Sequence, residues 1–125
     1  MKNIIKLTTI AMPISIQIVT AQTKTLEYKI ANKFSVEGEG GWDYVAVDDS
    51  TERLYISHGT IVQVMDKDGK IIGTIKDLKG VHGIALAQNL NKGFISSGRD
   101  SLVVVFDLKT NQILGHVPTG QFADG

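Results

Sequence analysis

The 125-residue chain has no cysteine, only two prolines and one tryptophan, and its 13 basic and 13 acidic residues cancel. Without cysteine there is no disulfide, no thiolate metal site and no lipid attachment behind a leader, so any fold must be held by packing. The charge balance offers no attraction to nucleic acid or to an anionic membrane surface. No apolar run reaches the roughly 20 residues that a membrane-spanning helix needs. The familiar catalytic patterns are absent as well: there is no GxGxxG or phosphate loop, no HExxH and no GxSxG.

What is present begins with a leader. Lys2 and Lys6 flank the start of an apolar run over 7–19, interrupted by Pro13 and Gln17, and Val19-Thr20-Ala21 ends it with a small-x-small pattern. A positive start, a short apolar stretch and such a site predict a secretory signal over residues 1–21, cleaved before Gln22, with a periplasmic or secreted product and no membrane span after cleavage. Removing Lys2 and Lys6 leaves 11 basic residues against 13 acidic ones, a net charge of about −2.

The dominant feature is a repeat. Val45-Ala46-Val47 returns as Ile84-Ala85-Leu86 and Arg53-Leu54-Tyr55-Ile56-Ser57 as Lys92-Gly93-Phe94-Ile95-Ser96, both at an offset of 39. Val64-Met65-Asp66 returns as Val105-Phe106-Asp107 at 41, and Ile71-Ile72-Gly73 as Ile113-Leu114-Gly115 at 42. The offset changes only within polar, Gly-bearing stretches, which marks these as loops between constant strands.

The copies run over 43–80 and 82–120, and a third begins near 121. Each contains four short runs rich in Val and Ile, at 44–47, 54–57, 61–65 and 70–75, then at 84–87, 94–97, 102–106 and 113–117. Gly69 and its counterpart Asn111 stand where a tight hairpin needs positive φ. Asp66 and Asp107 are expected to cap the following turns. Residues 22–41 are expected to supply one strand, over 26–34, and a Gly/Glu linker into the first copy. Four antiparallel strands every forty or so residues is the arithmetic of a β-propeller blade.

The runs Leu54-Tyr55-Ile56-Ser57, Ile61-Val62-Gln63-Val64-Met65-Asp66 and Gly69-Lys70-Ile71-Ile72, with their partners Ser101-Leu102-Val103-Val104-Val105-Phe106-Asp107 and Gln112-Ile113-Leu114-Gly115, resemble the YVTN-type β-propeller repeats of YncE-like exported bacterial proteins. The resemblance covers roughly residues 41–125. It implies an all-β ring of about seven blades when complete, of which this sequence holds two four-stranded antiparallel blades and the start of a third. The expectation is therefore an N-terminal piece of something longer.

In such a ring the innermost strand of each blade lines a central channel. The residue just before that strand's apolar run is Asp43 in the first copy, His82 in the second and Asp124 in the third. Converging at the channel mouth, they could ligate a divalent cation or hold a polar ligand; alternatively each hydrogen-bonds the backbone of its own loop. His58 and Arg99, in loops expected on the same face, are candidates for contact with a polar or anionic partner, or are solvated loop residues. Trp42 and Phe122 could stack on a ligand ring or wedge between blades. Ser57 and Ser96 lie at strand ends with no His placed by sequence to activate them.

Two functions fit these residues. One is an exported, non-catalytic binding or scaffold module that holds a small molecule, peptide or polymer at the channel mouth, with no cofactor evident beyond a divalent cation. The other is a propeller-type enzyme, a lactonase or a quinone- or metal-dependent oxidoreductase, with a central cation site completed by further blades. The missing catalytic motifs favour binding. Two blades alone are expected to leave the outer faces of both uncovered; about six wet Val, Ile or Leu side chains would cost on the order of 10 kcal/mol, comparable with the whole stability of a domain. Residues 22–125 should therefore be unstable or aggregate, and a sharp, reversible melt of the monomer would contradict this.

Overall fold

The computed structural model describes residues 25–121, 123 and 124. The leader expected over 1–21 and Phe122 lie outside the described residues. Residues 25–31 fall in one compact unit, Met1–Ala31, and the remainder in a second, Asn32–Gly125. In the first unit the described residues carry no regular structure, and Leu26, Tyr28 and Ile30 are exposed.

The second unit is all-β. Strands β1 (Trp42–Asp48), β2 (Arg53–His58), β3 (Ile61–Asp66) and β4 (Ile71–Ile75) form one antiparallel sheet in chain order. Strands β5 (Val81–Ala87), β6 (Lys92–Ser97), β7 (Leu102–Asp107) and β8 (Ile113–Pro118) form a second. Their starting residues are related by 39, 39, 41 and 42, the offsets of the sequence repeat. The irregularities repeat too. A bulge between Trp42 and Val45 in β1 recurs between Val81 and Ile84 in β5, and one between Val64 and Met65 in β3 recurs between Val105 and Phe106 in β7.

Turn chemistry holds the hairpins. Gly69 and Asn111 adopt φ of 83° and 60°, the left-handed region their residue types favour. Asp66 Oδ1 accepts from the backbone N–H of Asp68 at 3.0 Å and of Lys70 at 2.9 Å. Asp107 Oδ1 accepts from Lys109 at 2.9 Å and Thr110 at 2.8 Å, and the Thr110 contact leads in drawing its carboxyl below the usual range.

Alternation along the strands gives each sheet two faces. In the first sheet the face bearing Ala46, Tyr55, Val62, Val64 and Ile75 packs on the second sheet's Ile84, Ile95, Val104 and Phe106. The Tyr55 and Phe106 rings meet at 5.6 Å between centroids, tilted by 48°, within the range that aromatic pairs favour. At the rim of this core, the Leu108 carbonyl accepts from Arg53 Nη1 at 3.0 Å and from the Tyr55 hydroxyl at 3.3 Å. Burial pushes the Tyr55 phenol up.

The two outer faces differ. On the second sheet, Ala85, Phe94, Val103, Val105 and Val117 repeat the first sheet's buried face, yet none of them is buried. Ile75 is 2% exposed and its counterpart Val117 is 52% exposed. On the first sheet, Ile56, His58, Gln63 and Met65 point away from the second sheet but are buried nonetheless. Residues 32–41 cover them: Gln63 Nε2 donates to the Glu37 carbonyl at 3.1 Å, and the Gly59 N–H to the Gly41 carbonyl at 3.0 Å.

Two expectations are thereby corrected. The strand expected over 26–34 does not form, because among the described residues no strand pairs with it and its apolar side chains stay in water. The Gly/Glu segment is a strap rather than a free linker, since its glycines let backbone lie against side chains. A Cβ at Gly38 would collide with the His58 ring, and one at Gly69 with the Phe34 ring that reaches over the β3–β4 hairpin. Only the second sheet's outer face is thus left uncovered.

Asp48, at the end of β1, ties the sheets together from the opposite edge. It accepts from the Ser50 and Thr51 hydroxyls at 2.6 Å each and from Gln88 Nε2, in the second repeat, at 3.2 Å. Burial pushes its carboxyl up, but the hydrogen bonds from Ser50, Thr51 and Gln88 outweigh this and lower it to about 2. A depressed carboxyl stabilises the fold above its unfolded value near 3.8 and loses that contribution as pH falls towards 2. Chemical denaturation between pH 5 and 2 should show Asp48→Asn removing on the order of 1 kcal/mol, after solvent screening, above about pH 4 and flattening the acid limb of the stability curve.

Candidate functional site

The repeated bulges aim the site. In each repeat the bulge interrupts pairing one residue after the candidate position, at Tyr44 and at Gly83, leaving their N–H groups without a strand partner. A serine from the neighbouring strand closes the gap. Tyr44 N–H donates to Ser57 Oγ at 2.6 Å, and Gly83 N–H donates to Ser96 Oγ at 2.8 Å. The serines noted at strand ends therefore brace backbone, and the spacing that revealed them as repeat-equivalent was the available signal for this role.

Backbone bonds then set the strand ends side by side. The Gly59 carbonyl accepts from Val81 N–H at 3.0 Å, the same glycine that donates to Gly41. The start of β5 is thereby fixed beside the start of β1, and Asp43 and His82 become neighbours.

Structure brings three of the six sequence-derived candidates into one cluster. His82 Nδ1 lies 2.6 Å from Asp43 Oδ2 and 3.2 Å from Asp124 Oδ1. One donor atom from each of the three falls within 4.8 Å of the others. The alternative in which each side chain bonds only its own loop does not describe Asp43 and His82, which bond each other. Their side chains are open to solvent, at 50%, 37% and 74% exposure for Asp43, His82 and Asp124.

Two carboxylates bearing on one ring nitrogen are incompletely matched, since a single N–H can serve only one of them well. The surplus negative charge favours a second positive charge nearby. One imidazole nitrogen with two carboxylate oxygens is a donor set for zinc or manganese, with positions left for water or ligand.

Beside the cluster is a cleft of about 290 Å³ lined by Trp42, Asp43, His82 and Arg99. A smaller one of about 200 Å³ shares His82 and Arg99 and adds Asp124. Arg99 therefore faces the site, as expected for a residue that meets an anionic group. It is exposed, its side-chain stem lies against Gly80, and no ion pair holds it among the described residues, whereas neighbouring Asp100 is taken by Lys79 at 3.0 Å.

His58 is not a ligand contact. It is 3% exposed, sealed by the strap, and stacked under Trp42 with ring centroids 4.4 Å apart and planes 12° from parallel. Its Nδ1 lies 3.2 Å from Gln63 Oε1. Because Gln63 Nε2 donates to Glu37, Oε1 must accept, so His58 carries its proton on Nδ1. Nε2 is then a buried acceptor with no hydrogen-bond partner among the described residues. Trp42 consequently uses one ring face on His58 and lines the cleft with the rest. Nothing in the sequence pointed to this pairing, because the strap that buries His58 has no counterpart in the second repeat.

No protein-family model matches the chain, and no curated protein matches it.

The bulge brace is testable. Ser57→Ala leaves the Tyr44 N–H unsatisfied and should cost about 1–3 kcal/mol in urea unfolding, whereas a serine irrelevant to the bulge would change the midpoint negligibly.

Proposed function

We propose that this chain is an exported β-propeller-type binding module. Its recognition site is the cleft where consecutive repeats present Asp43, His82 and Asp124, and the ligand is a divalent cation together with a small polar or anionic group. The observation that carries the reading is the convergence of three residues occupying one repeat position, with His82 Nδ1 within 3.2 Å of both carboxylates. Isolated loop residues need not converge in this way.

The chemistry of the surroundings supports an anionic co-ligand. Asp43, His82 and Asp124 would hold the cation, and Arg99, free of an acidic partner among the described residues, would meet the ligand's carboxylate or phosphate across the cleft. Trp42 would form an apolar wall. Export is supported by the leader pattern of residues 1–21, and the propeller assignment by the resemblance of the repeats and by the face-to-face stacking of two four-stranded sheets. Among the described residues no helix is long and apolar enough to cross a membrane.

Calorimetric titration of the full chain with zinc, manganese and calcium tests this. A saturable, roughly one-to-one binding heat that His82→Ala abolishes is the expected result, with Arg99→Ala leaving the cation heat intact. The absence of heat with all three cations would remove the cation from the proposal.

A further inference from the structure

The two outer faces of the sheet pair stand in an unusual relation. The open face of the second sheet, with Ala85, Phe94, Val103, Val105 and Val117, is the repeat-equivalent of the face that the first sheet buries in the core. Ala46, Tyr55, Val62, Val64 and Ile75 become these five at offsets of 39, 39, 41, 41 and 42. An apolar hollow of about 250 Å³, lined in part by Ala85, Phe94 and Val103, lies on it.

The face that would complement it is also present. Within the molecule, Tyr55 packs on Phe106 of the second sheet. The first-sheet equivalent of Phe106 is Met65, on the face that residues 32–41 cover. One chain thus carries both halves of a sheet-on-sheet contact, with one half open and the other under a strap.

The strap is poorly suited to permanence. Phe34 remains 45% exposed, Gly38 holds φ of 140°, and the covered His58 keeps an unsatisfied Nε2. An unpartnered buried acceptor disfavours the closed arrangement.

We infer that residues 32–41 are a displaceable cap, and that the occupant competing with them is the open second-sheet face of another copy of this chain. Docked this way, Phe94 of one copy meets Met65 of the next, in the register in which Tyr55 meets Phe106 within one molecule. The contact is head-to-tail, so each added copy presents a fresh open face, and association continues until a ring closes or a filament forms. This inference rests on the observed stacking of the two sheets and is independent of the ligand proposed for the cleft.

The lack of cysteine in the chain makes the register directly readable. Full-length Phe94→Cys and Met65→Cys proteins, mixed under mild oxidation, should cross-link to each other in preference to either with itself, and Gly38→Ala in the Met65→Cys partner should increase the yield about tenfold by unseating the cap. In sedimentation, Gly38→Ala should associate with rising concentration, and Phe94→Asp added to it should return the protein to monomer. Circular dichroism confirms that each variant retains its strands. Preferential Phe94→Cys self-linking would overturn the head-to-tail register, and a Gly38→Ala protein that stays monomeric with native dichroism would overturn the cap. Should Gly38→Ala not fold, absence of any cross-link between the two cysteine variants without it overturns the proposal equally.

Discussion

Everything in this molecule depends on one contact, the packing of the first sheet's Tyr55 face on the second sheet's Phe106 face. Neither sheet has a sufficient core alone, and the buried cluster draws on both. Without cysteine, the fold has no covalent alternative to this burial. The polar ties at its rim, from Arg53 and Tyr55 to the Leu108 carbonyl and from Gln88 to Asp48, fix the angle at which the sheets meet.

The site is a consequence of the same packing. Stacking two copies of one motif face to face places equivalent residues beside each other, so Asp43 and His82 meet because β1 and β5 do. The bulges then turn these side chains outward, and Ser57 and Ser96 absorb the hydrogen-bonding cost of the interruption. A repeat used this way makes a polar cluster at its rim without any residue being placed independently of the fold.

Much of this was legible in the chain because the signal was internal. Comparing 44–57 with 83–96 separates constant strands from variable loops, and the strands fall where those offsets put them. The left-handed turn positions Gly69 and Asn111, and the capping roles of Asp66 and Asp107, followed from residue type alone. What the repeat could not announce was anything lacking a second copy. The strap over His58 occurs once, its glycines pattern like a linker, and its contacts are between backbone and side chains far apart in sequence. That is why His58 looked available and is buried, why Trp42 is engaged by an imidazole, and why only one outer face is open.

The most direct measurement of the central claim is a double-mutant cycle between Tyr55→Leu and Phe106→Leu, read by urea unfolding of the full chain. If the two sheets are held by this face-to-face contact, the two changes should be non-additive, with a coupling of about 0.5–1.5 kcal/mol. Strict additivity, with each change acting only on its own sheet, would contradict the account.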